Sequence, residues 1–269
     1  MKPNFMIAHT FGFWVGLSIL SQGATLFTDT FDSGTGNWYK GGSSGTLSNN
    51  AGQLSWQESG SDANEVIARQ FSTSTLAVGE TLRLTFNYTQ TGASPVILRV
   101  GLFNLQNSIT ADGWNTGVTN IGGSVQGYTT FVRDNSNAGN NARYETGTID
   151  STTTHAPLNA GTNIGSLNTT QYDIVENGSL TYTVVFEVTL VSAGQMNTQF
   201  TMSSVNGTHF SIPATTSQIY NGFDTAALRI TGGTALLDNV SVELIPEPSA
   251  LLLSGFGASA FFLRRRRKS

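Results

Sequence analysis

Residues 179–190 read SLTYTVVFEVTL, and this stretch decides the fold. Leu180, Tyr182, Val184, Phe186, Val188 and Leu190 occupy alternate positions, with Thr181, Thr183, Glu187 and Thr189 between them; only Val185 breaks the pattern. A period of two puts the apolar set on one face of a strand, against a core. The hydroxyls and the carboxylate then lie on the wet face.

The same writing recurs on either side. In ETLRLTFNYT (80–89), Leu82, Leu84, Phe86 and Tyr88 oppose Thr81, Arg83, Thr85, Asn87 and Thr89. In PVILRVGLFN (95–104), Val96, Leu98, Val100 and Leu102 share a face. Further strands are expected over 25–31, 53–57, 66–71, 128–133, 198–202, 227–231 and 236–245. No helical periodicity occurs between residues 25 and 245. Asn177-Gly178, Asn206-Gly207 and Asn221-Gly222 each lie between apolar runs, and Asn-Gly favours the positive backbone angles of a tight hairpin. The expected fold is all-β: residues 25–245 as one ectodomain, a two-sheet antiparallel β-sandwich of jelly-roll type. Residues 104–171 stand apart, rich in Asn, Gly, Thr and Ser, with only GYTTFVRD and ARYETGTI reading as strands. A connection this long is the first place to expect a binding function.

Composition narrows the function. The 269 residues include no cysteine, so stability rests on packing and backbone ladders. The net charge of −4 hides an uneven distribution: residues 25–245 hold seven basic against sixteen acidic side chains, and five of the thirteen basic residues sit at the C-terminus. An acidic body is a poor partner for nucleic acid, which requires clustered Lys and Arg.

The two ends are not domain material. MKPNFMIAHTFGFWVGLSILSQGA (1–24) has Lys2, an apolar stretch densest from Phe11 to Leu20, then the small residues Ser21, Gly23 and Ala24. This is the layout of a secretory signal peptide with cleavage after Gly23 or Ala24, so the Sec translocon and signal peptidase are expected partners. At the other end, IPEPSALLLSGFGASAFFLRRRRKS (245–269) carries Pro246, Glu247 and Pro248, an uncharged apolar run over 249–263, and the cluster Arg264, Arg265, Arg266, Arg267 and Lys268. As a helix the fifteen-residue run spans about 23 Å, short of a ~30 Å hydrocarbon core but workable with snorkelling arginines. It is expected to form a single C-terminal transmembrane helix, with the basic block marking the cytoplasmic side and the body outside.

The ordered triple of Pro-Glu-Pro, short apolar helix and Arg-rich terminus (246–269) resembles a PEP-CTERM sorting signal. The resemblance implies retention in the inner membrane, cutting near the motif by an exosortase-like membrane transpeptidase, and transfer of the body from the periplasm to the cell surface or an exopolysaccharide matrix. TLFTDTFDSGTGNWY (25–39) and LRITGGTALLDNVSVELI (228–245) are similar to the first and last strands of laminin-G-like and carbohydrate-module sandwiches. That similarity implies neighbouring terminal strands, with a structural calcium near them in some members.

Candidate chemistry is sparse. Gly41-Gly42-Ser43-Ser44-Gly45 satisfies G-x-S-x-G but lies in a loop of a β-rich chain, without the helix that a nucleophile elbow needs. His155 and His209, without cysteine, offer no zinc pattern. No strand carries two carboxylates at i and i+2, the spacing that would suit a glycosidase pair, although pairing across strands stays open. Asp238 falls in phase with Leu236, Val240, Val242 and Leu244, on the apolar face of the last strand. A carboxylate there needs a partner: calcium shared with Asp29 or Asp32 is one solution. The other is a strand that begins after Asp238, leaving its carboxylate to bond a turn. No other cofactor is expected. Trp114, Trp38, Tyr39 and Trp56 are candidates for stacking on sugar rings, with Trp114 in ADGWNTG the one expected to be exposed. The reading is a non-catalytic surface or matrix protein contacting extracellular polysaccharide. A carbohydrate-binding module and a sandwich-fold glycoside hydrolase are the alternatives.

Overall fold

The alternating stretches become strands of two sheets. The computed structural model describes residues 23–42, 45–58, 66–92, 96–105, 108–114, 125–133, 141–146, 148–149, 158, 162–168, 174 and 177–247. Among them sixteen strands occur. The first eight are β1 (Ala24–Asp29), β2 (Tyr39–Lys40), β3 (Thr46–Asn50), β4 (Gln53–Gln57), β5 (Ile67–Thr75), β6 (Thr81–Thr91), β7 (Ile97–Asn104) and β8 (Val125–Arg133). The others are β9 (Asn141–Thr146), β10 (Thr148–Ile149), β11 (Thr162–Asn168), β12 (Asn177–Ser192), β13 (Gln195–Ser204), β14 (Gly207–Thr216), β15 (Gly222–Thr231) and β16 (Thr234–Ile245).

One sheet runs β14-β13-β12-β6-β16-β4-β3, with β1 beside β16. The second runs β11-β9-β8-β7-β15-β5-β2, with β10 beside β8. Every pairing is antiparallel. Leu84, Phe86, Val184, Phe186 and Phe200 from the first sheet join Leu98, Val100, Tyr128, Leu228 and Ile230 from the second in a single apolar cluster. The two sheets therefore face one another across one core, as the alternation over 80–104 and 179–190 requires.

The outer faces differ. On the first sheet, threonines meet across strands: Thr81 and Thr189 are 2.8 Å apart at their hydroxyls, and Thr89 and Thr181 are 3.0 Å apart. The second sheet is covered. Its outward residues Val66, Ala68, Phe103, Val125 and Ala227 form a second apolar cluster with Leu105, Ile109 and Leu158. Side chains pin the covering chain: Leu105 N donates to Asp224 Oδ1 (2.9 Å), Ile109 N to Gln70 Oε1 (2.6 Å), and Arg99 Nη1 to the Leu158 carbonyl (2.8 Å). This is why β15 is buried on both faces. The Phe103 ring lies over Gly101 and Gly127, where a Cβ would collide with it.

Three expectations change. Of the three Asn-Gly steps only Asn206-Gly207 lies at a hairpin, between β13 and β14, and even there the two turn residues are Val205 and Asn206, with Gly207 opening β14 opposite Ser204. Asn177-Gly178 instead opens β12 at a register shift opposite β6, and Asn221-Gly222 leads into β15, in the other sheet from β14. The described part of 104–171 contributes β8, β9, β10 and β11 and part of the cover, more structure than two strands. The expected signal peptide and the 249–263 helix lie outside the described residues. Among the described ones, no helix is long and apolar enough to cross a membrane.

Candidate functional site

The chain leaves the sandwich through β16. This strand pairs with β6 as far as Ile245, opposite Thr81, and with β1 as far as Leu244, opposite Ala24. Pro246 has no N–H to extend the ladder and ends the strand. Glu247 is exposed, and its side chain crosses Gly79 in the β5–β6 turn. A Cβ at Gly79 would stand 2.5 Å from Glu247 Oε2. Gly79 has φ +87 and donates its N–H to the Leu190 carbonyl at 2.7 Å, so the turn is fixed to β12. Pro248 and the cluster Arg264, Arg265, Arg266, Arg267 and Lys268 lie outside the described residues.

The aromatic candidates divide into two pairs. Trp38 and Trp56 are core residues, 1% and 0% exposed, and present no ring face to a ligand. Trp38 meets Phe27 edge-on at 6.4 Å, and Trp56 alternates with Leu54 on the inward face of β4. Tyr39 and Trp114 are half-buried and pack together on the outer cluster of the second sheet. The segment holding Trp114 docks along β2. Trp114 Nε1 donates to the Tyr39 carbonyl (3.2 Å), Gly113 N to the Lys40 carbonyl (2.8 Å), and Lys40 N to Asp112 Oδ1 (3.0 Å). Trp114 is therefore a clamp as well as a surface. No local signal in the sequence reveals this contact, which joins residues 75 positions apart.

The carboxylates are spoken for. Asp29 pairs with Arg69, and its Oδ1 also accepts the Phe31 N–H at 3.1 Å. Burial lowers the Arg69 pKa, partly offset by Asp29, and its guanidinium stacks 4.2 Å from the Phe27 ring centre. Asp32 is exposed and accepts the Thr30 hydroxyl at 2.6 Å. Asp238 does not share the apolar face. Asn239 adopts φ 50 and inserts one extra residue, so that Asp238 opposes Asn87 while Ser241 opposes Thr85. This bulge flips the phase: Ala235 and Leu237 are buried before it, Val240 and Val242 after it. Asp238 turns outward and accepts the N–H of Asn239 at 2.7 Å. The strand begins before Asp238, at Thr234, so it does not start after that residue, and the bulge takes Asp238 off the apolar face on which the alternation had put it. Among the described residues, no three His, Asp or Glu side chains are grouped to hold a metal ion.

Across strands, Arg83 stands between Glu187 and Glu243 on the outer face of the first sheet. It binds Glu187 Oε1 through both Nε and Nη2, at 2.7 Å each, which occupies that carboxylate as an ion-pair acceptor. Ser204 Oγ lies 2.6 Å from His209 Nε2 and also accepts the Asn206 N–H at 3.1 Å. The pair closes the β13–β14 hairpin, and its serine is already engaged as a turn cap. The hairpin turns on Val205 and Asn206 with Ser204 opposite Gly207, and a register shift between Met202 and Ser203 leaves His209 beside Ser204, so the Asn-Gly step alone does not give this contact. Ser43, Ser44 and His155 lie outside the described residues.

Residues 244–267 match the model of the PEP-CTERM protein-sorting motif. No curated protein matches the chain. Among solved structures, a Bacillus subtilis protein of unknown function with a galectin-like fold superposes with a TM-score of 0.50 at 9% identity, over 83% of this chain and 98% of that one. The carbohydrate recognition domain of Emp46p gives 0.43 at 11% identity, over 82% of this chain and 93% of that one. Alginate lyase Aly36B gives 0.44 at 11% identity, over 73% and 82%. At these identities the likeness concerns the fold alone. The chain thus carries a PEP-CTERM protein-sorting motif over residues 244–267, which begins on the last strand of a β-sandwich similar in fold to a galectin-like protein.

Proposed function

We propose that this is an exported, non-catalytic envelope protein. Its C-terminal segment moors it in the inner membrane until an exosortase-like transpeptidase acts near Pro246, Glu247 and Pro248. The sandwich then serves at the cell surface or in an exopolysaccharide matrix. One observation carries this reading: residues 244–267 match the PEP-CTERM protein-sorting motif, and the matched segment begins on the last two residues of β16. An acidic, cysteine-free, threonine-faced body agrees with work outside the cytoplasm and away from nucleic acid. The test replaces Pro246, Glu247 and Pro248 together by alanine and fractionates cells that carry an exosortase-type enzyme. The parent chain should appear as a shortened surface or released form, and the triple variant should stay at full length in the membrane. Equal processing of both would refute the reading.

A second reading, polysaccharide binding, is favoured by the half-buried Tyr39–Trp114 pair on the rim of the second sheet. Such rings combine an apolar face with fixed orientation, which suits a pyranose surface. If it holds, Trp114→Ala should reduce retention on the producer's own polymer several-fold while the first-sheet variant Thr183→Ala does not. Among the described residues, Glu187 is held by Arg83 on the outer face of the first sheet, so the Glu187 and Glu243 flanking Arg83 form a charged cluster with it rather than a free carboxylate pair.

A further inference from the structure

We infer that the fold itself holds the sorting motif back, so that processing draws on opening of the β16 end. This rests on the sorting reading above. Three contacts grip the first residues of the matched segment. Ile245 is laddered to Thr81 on one side, and Leu244 to Ala24 on the other. Glu247, inside the motif, is laid across Gly79, whose turn is bonded to β12.

An enzyme that cuts a peptide bond takes the chain in extended form, with several residues lodged in its cleft. Here Leu244 and Ile245, the first residues of the matched segment, already serve a ladder with β1 on one side and β6 on the other, and β16 runs into Pro246 directly. The enzyme and the sandwich therefore compete for residues 244–247. When opening and closing are faster than cutting, the rate follows the population of the open end. Folding of the body sets how quickly it is released, and the final strand reports whether the sandwich is complete: β16 is the partner of β1, β4 and β6 together.

Two full-length variants test this in cells with an exosortase-type enzyme, by pulse–chase. The first inserts a Gly-Ser-Gly-Ser-Gly-Ser spacer between Ile245 and Pro246, leaving β16 and the segment from Pro246 onward each intact but apart. Processing should accelerate by roughly tenfold, the factor expected if opening a frayed strand end limits the parent. The second, Thr81→Cys with Ile245→Cys, places a disulfide across facing residues, whose Cα separation in an antiparallel pair suits a bridge. The chain has no other cysteine, so the bridge is unambiguous. The oxidised form should be processed about tenfold more slowly than the parent, with the rate restored by reductant. Parental rates in both the spacer and the oxidised chain would overturn the inference while leaving the sorting reading intact. A parent chain that is never cut would overturn both.

Discussion

The bulge at Asn239 offers the sharpest test of how the last strand is built. Its φ of 50 is a left-handed conformation, which costs an ordinary L-residue about 1–2 kcal/mol and a β-branched one the upper end of that range. Asn239→Gly should leave stability within about 0.5 kcal/mol, Asn239→Ala should lose about 1, and Asn239→Val about 2. In a body of this size each kcal/mol moves the Tm by roughly 2–4 °C. The valine variant should therefore melt about 4–8 °C below the parent, measured by circular dichroism on full-length protein in mild detergent. Deleting Asn239 is far more severe. Without the extra residue, β16 can bury Ala235 and Leu237 or Val240 and Val242, but not both pairs. Exposing two large apolar side chains, or turning Asp238 inward, costs on the order of 5 kcal/mol, comparable with the whole stability of a domain. A valine variant that melts with the parent, or a deletion variant that remains folded, would refute the phase flip.

Further outcomes follow from other contacts. Gly101→Val drives a side chain into the Phe103 ring and Leu158, and should cost about 1–3 kcal/mol by denaturant unfolding. Arg69→Met strands Asp29, whose side chain is 11% exposed, and should cost about 3–5 kcal/mol; adding Asp29→Asn should recover most of it in a double-mutant cycle. Burial pushes the Tyr128 hydroxyl up to about 12, while its oxygen donates to the Gln218 carbonyl and accepts the Tyr220 N–H. The folded state then keeps a proton that the unfolded state releases above about pH 10. Stability contributed by Tyr128 is therefore complete below that pH and lost as the pH rises through about 12, and Tyr128→Phe should flatten this alkaline loss in pH-dependent melts.

Much of the fold is legible because alternation is a local signal. The faces of β6, β7 and β12 follow residue by residue from 80–104 and 179–190. Strand β14 escaped because Pro213 interrupts it, which is tolerable only because this strand is at the sheet edge, a property of the assembled sheet. The phase of β16 was misread because a single Asn in a left-handed conformation leaves no mark in an alternating pattern that continues on both sides of it. Trp38 and Trp56 lie in stretches with polar neighbours, and nothing local says that the sandwich closes over them. The sorting motif was legible in full because its order of proline pair, apolar run and basic block is linear chemistry. The seat of Glu247 on Gly79 was not, since it joins positions far apart in the chain.

Intact-mass spectrometry of the protein recovered from outside producing cells tests the central claim most directly. The body should begin at Ala24 or Thr25 and end near Pro246 to Pro248, free of the 249–269 segment. Recovery of the uncut 269-residue chain from the cytosol, with nothing shortened outside, would contradict it.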